Sequence, residues 1–198
     1  MLSKIIAYLI DLDRRLLLWA NEYHTPALDA LMSFASNRLS WLPAYAALLL
    51  WLGWYFRRRA WRLLPLLLLA VGLADVITSR LFKPYFGRLR PCHEPSLQGL
   101  LHLPAGCGGQ FGFLSSHAAN SVALAVFLAL GLPGGGRRFF WFRALLFGWA
   151  ALLSYSRLYL GAHYPSDVLG GALVGALLGA AGATLFRRWD RRLGLNEE

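Results

Sequence analysis

Residues 63–82 read LLPLLLLAVGLADVITSRLF. Only Asp75 and Arg80 are ionisable in this run, and its aliphatic density is far above that of a surface helix. A helix of this length rises about 30 Å, which matches the hydrocarbon thickness of a bilayer. The run is therefore a membrane span. It passes straight into Lys83-Pro84-Tyr85-Phe86-Gly87-Arg88-Leu89-Arg90-Pro91, a basic and aromatic stretch at one membrane face.

Working outward, four more segments have spanning character: 41–56, 117–132, 139–155 and 168–186. Aromatic residues such as Trp41, Trp54, Trp141, Tyr159 and Trp189 mark their ends, as headgroup belts do. The composition agrees. Of 198 residues, 57% are hydrophobic and only 15% charged, against about a quarter charged in soluble domains. Disorder is excluded by the same apolar content. The fold class is all-α, a polytopic transmembrane bundle with five spans forming a single domain over 1–198, its catalytic bundle at 39–190. Residues 1–38 read as amphipathic N-terminal helices at the interface: Ile5, Ile6, Leu9, Leu12, Leu16 and Leu17 recur near helical spacing, and Thr25-Pro26 starts a second helix. A sixth crossing by residues 4–20 would bury charges including Lys4, Asp11, Arg14 and Arg15, at high cost. Gly171, Gly175 and Gly179 repeat at the spacing of close helix packing within the bundle.

The net charge of +10 comes in short clusters between apolar runs, not as the basic face of a nucleic-acid-binding domain. Arg57, Arg58, Arg59 and Arg62, then Arg137, Arg138 and Arg143, then Arg187, Arg188, Arg191 and Arg192 fall on one side of a five-span chain. The positive-inside rule makes that side cytoplasmic. The opposite, outer side holds residues 83–116 and 156–167.

Three stretches gather at that outer side. They are Lys83 to Pro91, then Phe113-Leu114-Ser115-Ser116-His117, then Ser156-Arg157 through His163 to Asp167. Arg90 and Arg157 suit bidentate binding of an oxyanion, and Lys83 adds a point charge. Ser115 and Ser116 precede a helix whose N-terminal amides favour anions. His163 and Asp167 are spaced i, i+4, so the carboxylate can fix the imidazole tautomer. His117 is then free as general acid. Taken singly, an interfacial arginine is an anchor that snorkels to headgroups, and Arg88 and Tyr85 are read that way.

The pattern Lys83 to Arg90-Pro91, Ser115-Ser116-His117, then Ser156-Arg157 to His163 and Asp167 resembles the signature of the type 2 phosphatidic acid phosphatase (PAP2) superfamily. Ser116 stands where glycine is usual, and Leu114 where proline is common. The resemblance implies metal-independent hydrolysis of a phosphate ester, with no cofactor. By it His163 is the nucleophile, Asp167 orients it and His117 protonates the leaving group. Lys83, Arg90, Ser115, Ser116 and Arg157 hold the phosphoryl oxygens. Resemblance to compact bacterial members implies the bacterial inner membrane, a site facing the periplasm or cell exterior, and a membrane lipid phosphate as substrate. Undecaprenyl diphosphate is preferred, with lipid A phosphate and phosphatidylglycerophosphate as alternatives. A non-catalytic lipid-phosphate binder or transporter would need the cations, but not both histidines and Asp167.

Two features stand outside the signature. Asp75 lies within a span and has Ser79, Arg80 and Asn120 as candidate partners. Cys92 and Cys107 bracket the outer loop with His93 and His102. A disulfide suits an exported loop; a zinc site of Cys92, His93, His102 and Cys107 and a pair of free thiols are the alternatives.

Overall fold

Helix ends follow local sequence. In a computed structural model, which describes residues 1–132 and 137–192, α1 covers Leu2–Glu22 and α2 covers Pro26–Ser36. Thr25 caps α2 by accepting from the Leu28 amide at 3.2 Å, and Pro26 occupies its first turn. A tight turn at Arg38–Trp41 leads into α3, Leu42–Phe56. Arg57, at φ 46°, breaks the run before α4, Ala60–Val76. A π-helical segment, Ile77–Phe82, continues into the short α5, Lys83–Phe86. After the outer loop come α6 (Ser116–Gly131), α7 (Arg137–Tyr159) and α8 (Pro165–Arg192).

The molecule is all-helical among the described residues, with a single isolated antiparallel bridge between Leu89 and Phe111. Three helical stretches are long and apolar enough to cross a membrane: Arg38–Phe86, Phe139–Tyr159 and Pro165–Arg192. The first folds back on itself. Arg38 approaches Asp75 at 3.9 Å while Arg57–Arg59 joins the other ends, so α3 and α4 run antiparallel. α6 is a shorter apolar helix. Neither α1 nor α2 belongs to the candidate spans. Residues 133–136 of the loop before α7, and 193–198 of the expected domain, lie outside the described residues.

α6 and α8 form the most extensive helix pair, and α4 packs on both. The glycine repeat explains the pairing. A Cβ on Gly171 or Gly175 would strike the carbonyl oxygens of Ser115 and Ala119, and one on Gly179 would lie 2.5 Å from that of Ala123. The stripe therefore packs backbone on backbone inside the bundle. Leu63, Leu67, Phe127, Leu128 and Phe186 fill the adjacent core. Leu50, Leu68, Leu145, Leu169, Leu173 and Leu177 point outward, as bilayer-facing residues do.

One arginine departs from the charge reading. Arg57 and Arg58 are exposed, but Arg62 is fully buried and pairs with Asp190 of α8 at 2.9 Å, with Arg59 at 3.6 Å. It ties α4 to α8 rather than marking the membrane surface. Likewise α1 is amphipathic as expected, yet its buried stripe includes Asp13 and Asn21 beside Leu17.

Candidate active site

Four helix ends meet at one end of the bundle. α4 and its π-helical extension deliver Lys83, the start of α6 delivers Ser115 to His117, the end of α7 delivers Arg157, and the turn into α8 delivers His163 and Asp167. The amide of Ser115 donates to the Asp167 carbonyl at 3.0 Å, which stitches the α6 and α8 starts together. Ser115 is the N-cap of α6.

His163 and Asp167 are both buried. The imidazole Nδ1 lies 3.4 Å from Asp167 Oδ2, and the same oxygen accepts from the Tyr164 amide at 3.0 Å. Burial pushes the His163 pKa well below the ordinary imidazole range, and the Arg157, Arg90 and Lys83 charges push it the same way. The ring is therefore neutral, with Nδ1 on the side of the Asp167 carboxylate.

The cations are held individually. Lys83 Nζ donates to Ser116 Oγ at 3.2 Å, so the residue that departs from the glycine pattern is used. Arg90 Nε donates to the Phe111 carbonyl at 3.2 Å. Gly108 and Gly112 make room for that arginine, since a Cβ on either would lie 3.2 Å from its side chain, and one on Gly112 would lie 3.1 Å from Asp167 Oδ2. Arg157 donates to Ser36 Oγ, and His117 Nε2 lies 3.0 Å from the Ser36 carbonyl.

The outer loop turns back through the Leu89–Phe111 bridge, and a Cys92–Cys107 disulfide closes it. His93 sits beside the disulfide and contacts the Gly108 carbonyl at 3.0 Å. The four-ligand zinc arrangement is not assembled, because His102 turns away to Asp29, at 2.9 Å, and stacks on His24. Asp75 takes Asn120 as its carboxylate partner at 3.0 Å. Ser79 instead donates to the Asp75 backbone carbonyl.

Three contributors escape a reading of local motifs: Ser36, Arg38 and Arg88. Arg88, read as an anchor, donates to Asp167 Oδ1 at 2.8 Å. The GRLRP run carried a signal, since Arg88 stands two residues from Arg90 on a loop. Ser36 and Arg38 come from the N-terminal segment and had none. Below His117 a cavity of about 390 Å³ runs into the bundle, with Arg38, Asp75 and Asn120 at its polar end and Tyr45, Leu48 and Leu124 deeper in.

Residues 62–191 match the model of the PAP2 superfamily. The chain is 38% identical to the lipid A 4'-phosphatase of Bacteroides thetaiotaomicron over 181 residues, which are 88% of this chain and 77% of that one. It is 31% identical to the lipid A 4'-phosphatase of Porphyromonas gingivalis, over 87% of this chain and 72% of the relative. Among solved structures, the transmembrane PAP2-type phosphatidylglycerolphosphate phosphatase of Bacillus subtilis aligns with a TM-score of 0.69 at 26% identity. The alignment covers 93% of this chain and 87% of that one. Aquifex aeolicus LpxE aligns with a TM-score of 0.67, also at 26% identity, over 87% and 95% of the two chains. The chain belongs to the PAP2 superfamily. It is an enzyme, a phosphatase of the membrane-protein class to which these relatives belong.

Proposed function

We propose that this protein hydrolyses the phosphate of a membrane lipid through a phosphohistidine, with its site at the outer face of a bacterial inner membrane. The observation that carries the mechanism is the buried, neutral His163 facing Asp167 at 3.4 Å amid Lys83, Arg90 and Arg157. Those cations, with Ser115 and Ser116, hold the phosphoryl oxygens. His163 Nε2 attacks phosphorus, the P–O bond to the lipid breaks, and His117 gives the leaving oxygen its proton. Water then gives a proton back to His117 as it attacks the phosphohistidine, the P–N bond breaks, and phosphate is released. Asp167 stabilises the imidazolium character that develops on the ring. The fixed cations take the place of a metal clamp, so EDTA is expected to leave activity intact.

The apolar cavity beneath His117 supports a lipid leaving group, because it offers a hydrocarbon-lined space beside the proposed general acid. Counting α3 and α4 separately, with α6, α7 and α8, gives the five crossings. The arginine clusters at Arg57–Arg59 and at the end of α8 support a cytoplasmic assignment for the other face.

Among lipids, a phosphate of the lipid A type leads, because the two lipid A 4'-phosphatases match over most of this chain at 38% and 31% identity. Undecaprenyl diphosphate is the second reading. It is favoured by a 27% identical undecaprenyl-diphosphatase of Bacillus subtilis, matched over 80% of this chain. Phosphate release from purified protein in detergent, compared across lipid A, undecaprenyl diphosphate and phosphatidylglycerophosphate at equal concentrations, separates these. Lipid A turnover at least tenfold above the others is expected. Preference for the diphosphate overturns the lipid assignment, and no release from any of them overturns the function. His163→Ala is expected to lose at least about 10⁴-fold of the activity, with no acid-stable or base-stable phosphoenzyme. A labelled phosphoenzyme that survives this substitution would place the nucleophile elsewhere.

A further inference from the structure

A carboxylate from the first helix of the chain reaches the first turn of α8. Asp13 is buried on α1. Its Oδ1 accepts from the Ser166 amide at 2.8 Å, and its Oδ2 accepts from the Ser166 hydroxyl at 2.5 Å and from Arg88 Nη2 at 2.6 Å. The other arm of Arg88 donates to Ser166 Oγ at 2.6 Å and to Asp167 Oδ1 at 2.8 Å. The guanidinium carbon lies 4.1 Å over the Tyr164 ring, which fixes its plane. One arginine therefore spans two buried carboxylates, and one of them is the partner of His163.

We propose that Asp13 and Arg88 are positioning residues that set the orientation and the available charge of Asp167. This rests on His163 being the nucleophile and Asp167 its partner. Arg88 occupies Oδ1, and the Tyr164 amide fixes Oδ2, so the carboxylate plane cannot rotate away from His163 Nδ1. A buried carboxylate without a countercharge is costly, and Arg88 supplies that countercharge. Sharing with Asp13 limits how much of the Asp167 charge the guanidinium absorbs. What remains stabilises the imidazolium that forms as His163 attacks. Asp13 also accepts from the free amide at the start of α8, which seats the turn carrying Asp167. The side-chain contacts of Asp13 and Arg88 are with each other and with Ser166, Asp167 and Tyr164, none of them a phosphate-holding residue of the proposed site, so the effect belongs in the chemical step and not in substrate binding.

The test is a double-mutant cycle on purified protein in detergent. Asp13→Asn keeps an acceptor for the Ser166 amide but removes the charge shared with Arg88. It is expected to lower kcat about tenfold, the scale of one charge-assisted hydrogen bond, with KM within about twofold of wild type. In an Asp167→Asn background the same substitution is expected to cost at most about twofold, because its route to His163 is already cut. A fully additive loss, or a loss in KM alone, overturns the proposal and leaves Asp13 a structural contact. An unchanged kcat in Asp13→Asn overturns it too. If Asp13→Asn is not recovered as a monodisperse protein, Arg88→Lys replaces it in the same cycle with the same criteria. Lysine keeps the charge but not the two-armed geometry. Full activity in Asp167→Asn itself sinks the underlying reading of the site instead, so the two failures are told apart.

Discussion

The two faces of α6 are built on opposite principles. Toward α8, Ala119 and Ala123 present bare backbone to Gly175 and Gly179, and no side chain separates the helices. Toward α3, α4 and α7, His117, Asn120, Ser121 and Leu124 border a cavity of about 390 Å³. Ser115 and His163 are fixed by the first face, whereas His117 looks over the second. The proposed phosphate chemistry would need close placement, and at Gly175 and Gly179 these helices touch through groups with no rotamers. The second face is lined by aromatic and aliphatic side chains around open space, as the proposed lipid chain would need.

That contrast breaks most sharply at the glycines. Gly175→Val puts a branched side chain into the Ala119 backbone, and relief requires α6 and α8 to separate. The cost should exceed the roughly 1–3 kcal/mol of ordinary overpacking, with loss of folded protein read by thermal unfolding in detergent. A Tm within about 2 °C of wild type would show the seam to be soft and void the contrast. Next, His117→Ala is expected to lower kcat about 10²–10⁴-fold. The defect should shrink with an aryl phosphate whose leaving group needs no proton. An equal defect on both substrates would remove the acid role from this residue. A smaller effect belongs to the open face. Leu124→Trp fills the cavity without touching the seam, and excluding a few methylenes at about 0.8 kcal/mol each raises KM about tenfold or more for a long-chain lipid. A short-chain analogue should be turned over normally, and equal effects on both would take the lipid chain out of this cavity.

The smallest effect is a shift in pH dependence. Only the neutral His163 ring attacks, and burial together with the neighbouring cations holds its pKa below the usual value of about 6.5. The acid limb of kcat/KM should therefore fall below that pH. Arg157→Gln removes one cation, makes protonation easier and moves the limb toward higher pH, alongside weaker phosphate binding. A limb that stays in place or moves down would contradict the electrostatic account.

The long apolar helices and the residues of the family signature were legible because their information is local. Leu63 to Phe82 declares itself by hydropathy, and Asp167 follows His163 by one helical turn. Lys83, Arg90, His117 and Arg157 converge because each stands at or near a helix end on the same side of the bundle. The glycine repeat at 171, 175 and 179 was read as close packing within the bundle, and its contacts with α6 agree. What escaped depends on pairs far apart in the chain. Asp13 and Ser166 are 153 positions apart, and Ser36 and Arg157 are 121 apart. Hydrophobic periodicity made α1 an interfacial helix whose charges face water. The one visible cue was Asp13, Leu17 and Asn21 at i, i+4 and i+8, a stripe of one apolar and two polar residues that becomes the docked face. Arg62 misled for a related reason: its sequence neighbours are surface arginines, while its partner Asp190 lies on α8.

A repeat of four residues has a further consequence for α6 and α8. Alanines 119 and 123 and glycines 171, 175 and 179 share the same period, so sliding one helix by a single turn, about 6 Å, would restore much of the fit. Only the observed register brings the Ser115 amide to the Asp167 carbonyl. That backbone bond fixes the register at the site end of the seam. A slip of one turn would break that bond and the site together, so it should appear as a wholly inactive population beside the active one, and not as a uniformly slowed enzyme.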